Sequence, residues 1–306
     1  MALSDELRNE LASIAPRREC CRLAELSALF HSAGVVHLLG RGAVSVHLDV
    51  SSAAVARRAF SLLRQFGVAS EIRTYRRRAF ERGTRYQLHV EGGGRALQVL
   101  HEAGVLKSTL APLERPPKRV VGRSCCRSAY LRGALLGGGS LSGPRAPHLE
   151  LRASGLPGAE FLVDVAAAEG VAFRAVERRG HALAYAKGAE AIGDALAAAG
   201  ASDAVLAFQE QMVMGEAKAR ANRLANADHA NLVRTSRAAH DQLEAVRQLV
   251  REGRLDALTP PLREIAELRL AHPSLPLREL ALKCRPPATK ASAHRRVRKL
   301  IRLAER

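Results

Sequence analysis

Over its first two thirds the chain switches repeatedly between two periods of hydrophobicity. In AVSVHLDV, Val44, Val46, Leu48 and Val50 alternate with Ser45, His47 and Asp49, the period-2 pattern of a strand with one buried face. VVHLLG before it and RYQLHV after it, with Tyr86, Leu88 and Val90 alternating, also read as strands, as does the stretch around Ile72. SAAVARRAFSLLRQF (52–66) instead has helical spacing and stops at Gly67, and a further helix is expected over 94–103. With a helix over the segment that begins ECCR, the unit reads αββαββα.

A second unit follows the same order. A helix is expected over 124–137, a strand at PHLELRA, a helix over 158–169, a hairpin from VAFRAVERR and HALAYAK, and a helix over 188–199. The starts of the two units align without a gap at a constant offset of 105: Cys20 with Cys125, Cys21 with Cys126, Arg22 with Arg127, Ala24 with Ala129, Leu26 with Leu131 and Gly34 with Gly139. A constant offset in similar surroundings marks a duplicated supersecondary unit. Two such units predict a pseudo-symmetric α+β domain with two sheets. The first helix of each carries small residues four apart, Ala28 and Ser32 in one, Gly133 and Gly137 in the other. Residues at i and i+4 share a helix face, so these small faces predict a close two-helix seam between the halves.

Outside the duplication the pattern is helical. MALSDELRNELASIA reads as an amphipathic helix rather than a signal peptide, and no run of about 18 apolar residues suggests a transmembrane helix. Residues 201–253 read as two helices. In the tail, PPLREIAELRLAH places Leu262, Ile265, Ala266 and Leu270 on one stripe, LPLRELALKC turns Leu277, Leu280 and Ala281 inward, and Pro286 and Pro287 break the pattern. Thr289 then caps a last helix whose Ala293, Val297, Leu300 and Ala304 recur at i, i+4, i+7 and i+11. Three short helices with a break before the last predict a helix-turn-helix. Four segments result: an N-terminal helix (1–18), the duplicated domain (19–200, repeats 19–106 and 124–200), a bihelical connecting segment (201–255) and a helix-turn-helix domain (256–306).

Charge sharpens this picture. The 306 residues carry a formal net charge of +18, which points to a polyanion. Alanine and arginine are abundant and lysine is scarce, so part of the charge is compositional and its placement decides more than its total. From 258 to 306 there are 12 Lys or Arg against 4 Asp or Glu, a net of +8 in 49 residues, denser than the chain as a whole. On the last helix Arg295, Arg298, Lys299 and Arg302 project opposite the apolar stripe. Donors near a recognition helix's start suit base edges and cations further along suit phosphate. Ser292, His294 and Arg295 are therefore assigned to bases, and Lys290, Arg296, Arg298, Lys299 and Arg302 to phosphate. A second basic group, Arg73, Arg76, Arg77, Arg78, Arg82 and Arg85, surrounds one hairpin. It fits secondary DNA contacts and a solvated loop equally, with an acidic protein partner as a further alternative.

Signatures of catalysis are missing from the sequence: no H-E-x-x-H, no G-x-S-x-G and no phosphate-loop lysine. Four of the 5 cysteines form the two adjacent pairs. Adjacent cysteines do not match the C-x₂-C spacing of zinc clamps, and a reducing compartment disfavours disulfides. They are read as small buried hydrophobes, and no metal or cofactor is expected.

LSALFHSAG (26–34) and LRGALLGGG (131–139) resemble the paired LAGLIDADG motifs of homing endonucleases. The duplicated CCR, the element order and the tail together resemble the bacterial WhiA family, over essentially the whole chain. MGEAKARANRLANADHANLVRTSRAA resembles that family's connecting segment at Asn222, Arg223, Asn226, Ala230, Asn231, Leu232 and Thr235, polar residues that suit either phosphate or a buried domain boundary, with the boundary favoured. The resemblance implies a LAGLIDADG-like domain joined to a helix-turn-helix akin to the promoter-reading region of sigma factors. It also implies a transcription regulator of cell division and chromosome segregation, and of sporulation where the host sporulates. A LAGLIDADG nuclease holds divalent metal on an acid near the end of each motif helix; here those positions are Ala33 and Gly138, so no enzyme is expected. Where the family's last helix tends to read K-S-G-V-N-H-R, this chain has KASAHRR (290–296), keeping the cations but changing the base-reading residues. The expected partner is double-stranded DNA, with RNA polymerase or a co-regulator as a further protein partner, no membrane, and a cytoplasmic location at the nucleoid. The rival readings are a protein-binding scaffold and an active homing endonuclease.

Overall fold

The alternating stretches form strands, and the duplicated order builds two like sheets. The computed structural model describes residues 3–40, 43–76, 83–178 and 180–305, and these divide into two units, Met1–Glu216 and Ala217–Arg306. The first unit contains α1 (Leu3–Ser13), α2 (Glu19–Ala33), β1 (Gly34–Gly40), β2 (Ala43–Val50), α3 (Ala53–Gln65), β3 (Ser70–Arg76), β4 (Thr84–Glu91) and α4 (Gly94–Glu102). Its second half repeats the series from α2 onward as α5 (Ser124–Gly138), β5 (Gly139–Ser142), β6 (His148–Ala153), α6 (Leu156–Ala167), β7 (Arg174–Arg178), β8 (His181–Lys187) and α7 (Ala189–Ala199). The strand orders are β1-β2-β4-β3 and β5-β6-β8-β7, antiparallel throughout. Register follows the hydrophobic pattern: Val46 faces Val90 and Leu48 faces Leu88, all four buried, because a one-residue slip would turn every such side chain to water.

The seam forms where the small residues predict it. A Cβ on Gly133 would lie 2.3 Å from the Glu25 carbonyl oxygen and 2.9 Å from Ala28 Cβ, and one on Gly137 would lie 3.0 Å from Ser32 Cβ. Gly133→Ala is therefore expected to destabilise the first unit by about 1–2 kcal/mol, since overpacking outweighs the gain in helix propensity. Gly193 in α7 has nothing within 4 Å of its Cβ position. Gly193→Ala should instead stabilise, by up to about 1 kcal/mol. Urea denaturation of both variants tests the pair, and equal signs would remove the close seam as the explanation.

Charge is buried across this seam. Glu25 on α2 accepts from Arg58 on α3 (Nε, 2.6 Å; Nη2, 3.3 Å) and from Arg132 on α5 (Nε, 2.9 Å). Glu25 is 0% exposed. Arg132 also donates to the Ala199 carbonyl at 3.1 Å.

At their N-terminal ends α2 and α5 bring the two cysteine pairs together. Cys21 and Cys126 are buried as expected, but Cys20 and Cys125 are only partly so. The pairs open helices that face each other, and the outer member of each sits at the rim. Burial pushes the Cys126 thiol up to about 11 and raises that of Cys21 as well. Hydrogen bonding from Cys21, and then Arg18, draws the Cys125 thiol down.

The N-terminal helix belongs to the core of this unit, burying Leu3, Leu7 and Leu11. Its Glu10 carboxylate accepts from the backbone N–H groups of Asp203 and Ala204, each at 2.8 Å, and so satisfies orphan donors at the start of the next helix.

That helix, α8 (Ser202–Arg251), corrects the sequence reading: residues 201–253 hold one 50-residue helix, not two. Gly215 does not break it. A Cβ there would sit 2.7 Å from Pro144 Cβ, so the glycine makes room for a neighbouring loop. Asn222, Arg223, Asn226, Asn231 and Thr235 are exposed along α8. This stretch has no apolar stripe and is helical through Ala, Arg, Lys and Glu propensity.

The second unit adds α9 (Pro260–Ala271), α10 (Leu277–Leu282) and α11 (Lys290–Ala304). Its core joins Ala245, Val246 and Leu249 of α8 to Leu262, Ile265, Ala266, Leu280, Ala281, Cys284 and the four stripe residues of α11.

Candidate nucleic-acid interface

Two features carry the chemistry, one in each unit. In the second unit α11 begins where the sequence places it: Thr289 Oγ1 accepts from the Ser292 N–H at 3.2 Å. Ala293, Val297, Leu300 and Ala304 are buried. At about 100° per residue, Arg295, Arg298, Lys299 and Arg302 fall within about 50° of the direction opposite that stripe, and all four are exposed, as are Lys290 and His294. Ser292 is half-buried beside the cap. Arg296 lies nearer the core stripe, half-buried and 3.7 Å from Glu264. It is thus set apart from the exposed cations with which the sequence grouped it.

Two side chains that sequence reasoning missed hold the motif's shape. Arg269, 1% exposed, donates to the carbonyls of His272, Pro273 and Leu275 (3.3, 3.3 and 2.7 Å) and to Gln242 Oε1 (2.7 Å). It ties the end of α9 to the turn before α10 and to α8, and burial lowers its pKa. A cation in the last turn of a helix was the available signal. Glu264 accepts from the Arg285 N–H as well as facing Arg296, so one carboxylate steadies both the turn and the start of α11.

In the first unit, the C-terminal ends of α2 and α5 form the floor of a cleft of about 690 Å³. Ala33 and Gly138 both line it, beside Ser32 and Gly137. A Cβ on Gly138 would meet Arg152 backbone and Cβ at 3.0–3.3 Å, so even a small side chain there is crowded. Asp49 is the only carboxylate among the described lining residues. It is engaged by the Tyr75 hydroxyl and by Arg85, whose Nε and Nη2 approach at 2.9 and 2.7 Å. Arg8, Arg85 and Arg152 also line the cleft, and Arg8 donates to the Gly139 carbonyl at 2.8 Å. This donor set is cationic and hydrogen-bonding, suited to an oxyanion rather than to a metal ion. Arg8 and Arg152 carried no sequence signal, because only folding brings them to the same cleft.

The basic hairpin is divided. Arg85 faces the cleft, Arg73 is paired with Glu71 at 2.8 Å, and Arg76 is exposed at the end of β3. Arg77, Arg78 and Arg82 lie outside the described residues. No described helix is long and apolar enough to cross a membrane.

Comparison with known proteins covers both units. Residues 19–106 match the family model of the WhiA N-terminal LAGLIDADG-like domain, 127–218 that of the WhiA LAGLIDADG-like domain, and 221–304 that of the WhiA C-terminal HTH domain. The chain is 36% identical over 309 residues to the probable cell division protein WhiA of Symbiobacterium thermophilum, covering 100% of this chain and 98% of that one. It is 37% identical to the protein of the same description from Heliobacterium modesticaldum, covering 100% and 96%. Among solved structures, full-length DUF199/WhiA from Thermatoga maritima superposes with a TM-score of 0.57 at 20% identity, over 98% of this chain and 97% of that one. The N-terminal LAGLIDADG domain of DUF199/WhiA superposes with 0.51 at 18% identity, over 64% and 89%; both likenesses concern the fold. With three family models and full-length relatives in agreement, the chain belongs to the WhiA family.

Proposed function

We propose that this chain is a non-catalytic, DNA-binding transcription regulator acting in bacterial cell division and chromosome segregation, bound to double-stranded DNA at the nucleoid. The observation that carries this reading is α11. It is a capped, core-anchored helix of a helix-turn-helix whose solvent face presents Arg295, Arg298, Lys299 and Arg302 together. Relatives named as probable cell division proteins support the cellular role. The absence of catalysis is supported by Ala33 and Gly138 at the ends of the seam helices, and by a cleft lined with arginines where a nuclease would gather carboxylates around a metal.

Binding of the full chain to duplex DNA, followed by fluorescence anisotropy across a salt series, tests the reading. The logarithm of affinity should fall linearly with the logarithm of salt, by about 0.9 for each phosphate neutralised. Affinity that ignores salt, or no binding at low salt, would favour a protein-binding scaffold working with RNA polymerase or a co-regulator. Metal-dependent cleavage of plasmid DNA that is lost on mutation of the seam would favour an enzyme.

A further inference from the structure

The four cysteine thiols that open α2 and α5 meet at a single point. The Sγ atoms of Cys20, Cys21, Cys125 and Cys126 all lie within 4.8 Å of one another. Among the described residues this is the only group of three or more His, Cys, Asp or Glu side chains placed to hold a metal ion. The geometry points to a tetrathiolate site for one soft divalent cation, zinc or ferrous iron, that clamps the two repeats together at the start of the seam.

Distance is the first argument. Metal–sulfur bonds of about 2.3 Å in a tetrahedron place the sulfurs about 3.8 Å apart, so small side-chain adjustments bring these four into register. They are too close together to embrace a polynuclear iron–sulfur core. Four sulfur donors with no oxygen or nitrogen select a soft ion in tetrahedral geometry and leave no open position, as a structural site requires.

The metal ion's own charge ionises coordinating thiols, against the burial that raises Cys21 and Cys126, and the helix ends assist it. Each pair lies in the first turn of a helix, where unpaired N–H groups and the positive end of the helix dipole stabilise anionic sulfur. Arg18 Nη1 approaches Cys125 Sγ at 3.6 Å, the outer hydrogen bond that a metal-bound thiolate commonly accepts. Arg18 and Arg123 occupy equivalent positions immediately before α2 and α5, and Arg18 offsets part of the charge of four thiolates around a divalent ion.

Duplication explains why adjacent cysteines can form such a site. A C-x₂-C clamp supplies two ligands from one local turn. Here each CC pair supplies one edge of a tetrahedron, and the seam supplies the other edge by symmetry. The cluster lies some 12 residues along α2 from Ala33, about 18–20 Å at 1.5 Å per residue. It is therefore separate from the cleft where a nuclease would hold its metal.

The test uses the full-length protein, purified anaerobically with reductant and no added metal. Elemental analysis should find about one zinc or iron per chain, and visible absorption after oxidation separates iron from zinc. Cobalt(II) added to chelator-stripped protein should give tetrahedral d–d bands with strong thiolate-to-cobalt charge transfer. The double variant Cys20→Ser/Cys125→Ser changes the two partly exposed members, and should lose at least nine tenths of the metal and the charge-transfer band. Cys284→Ser, in the other unit, should keep both. Should the double variant aggregate, mercurial titration of the wild type decides: modification of the four thiols should release the metal in step. The proposal is overturned by wild-type protein that carries no metal and gives no charge-transfer band with cobalt. It is equally overturned by a double variant that keeps its metal, or by a disulfide among the four in the anaerobic preparation.

Discussion

Glu25→Gln is expected to cost the first unit about 3–5 kcal/mol of stability. The carboxylate is 0% exposed and accepts three hydrogen bonds from two guanidinium groups, on α3 and α5. Glutamine has nearly the same shape but no charge, and its amide nitrogen turns a donor toward one of the arginines. Arg58 and Arg132 are themselves buried, so neither can recover its hydration without opening the seam. The loss reflects two stranded cations rather than the intrinsic worth of the ion pairs. Replacing all three groups by apolar residues of similar size, Glu25→Leu with Arg58→Met and Arg132→Met, should therefore cost far less than the single change. Urea denaturation monitored on the first unit measures both variants. A single-variant loss below about 1 kcal/mol, or a triple variant as unstable as the single, would contradict the stranded-charge account.

The second large effect concerns DNA. Combining Arg298→Ala, Lys299→Ala and Arg302→Ala removes three exposed cations from one face of α11 and leaves its buried stripe untouched. If each neutralises one phosphate, the salt slope should become shallower by about 2.7. Between 50 and 200 mM salt the wild type should then lose about 40-fold more affinity than the variant. Weakening should be uniform across DNA sequences, because phosphate contacts carry no base information. Arg295→Ala should instead narrow the difference between preferred and random sites if that residue reads bases. Arg296→Ala should change the slope least, because Arg296 is half-buried against Glu264. An unchanged slope in the triple variant, with circular dichroism showing α11 intact, would remove this helix from the interface.

The two faces of α11 were already legible in the sequence. Its stripe spacing, its Thr289 cap and its cations opposite the stripe are relations between residues a few positions apart, and a helix turns such spacing directly into faces. The strand alternation, the constant repeat offset and the small seam residues were legible for the same reason. The repeat made Ala33 and Gly138 equivalent positions, and the resemblance to paired LAGLIDADG motifs gave them their significance. The Glu25 cluster was not legible there. Its partners lie 33 and 107 residues away in the chain, and each of the three looks like an ordinary charged helix position in isolation. Arg269 was hidden in the same way, since its acceptors are carbonyls and one distant glutamine.

Two sequence readings failed where local pattern gave too little. The segment after residue 201 lacks a buried stripe, so nothing marked it as one helix rather than two. Gly215 looks like a break, but it accommodates the Pro144 loop. The cysteine pairs matched no familiar ligand spacing, because spacing rules describe ligands from one turn and these come from two helices. By itself the sequence determined most helices and strands and their buried faces, that the chain is duplicated, and where the exposed cations of its last helix lie, apart from Arg296. Only the tertiary structure decided which distant charges meet at the seam, which arginines line the cleft, and that four thiols share one point. Those facts depend on the paths of packed elements through space, and no local period in the chain encodes them.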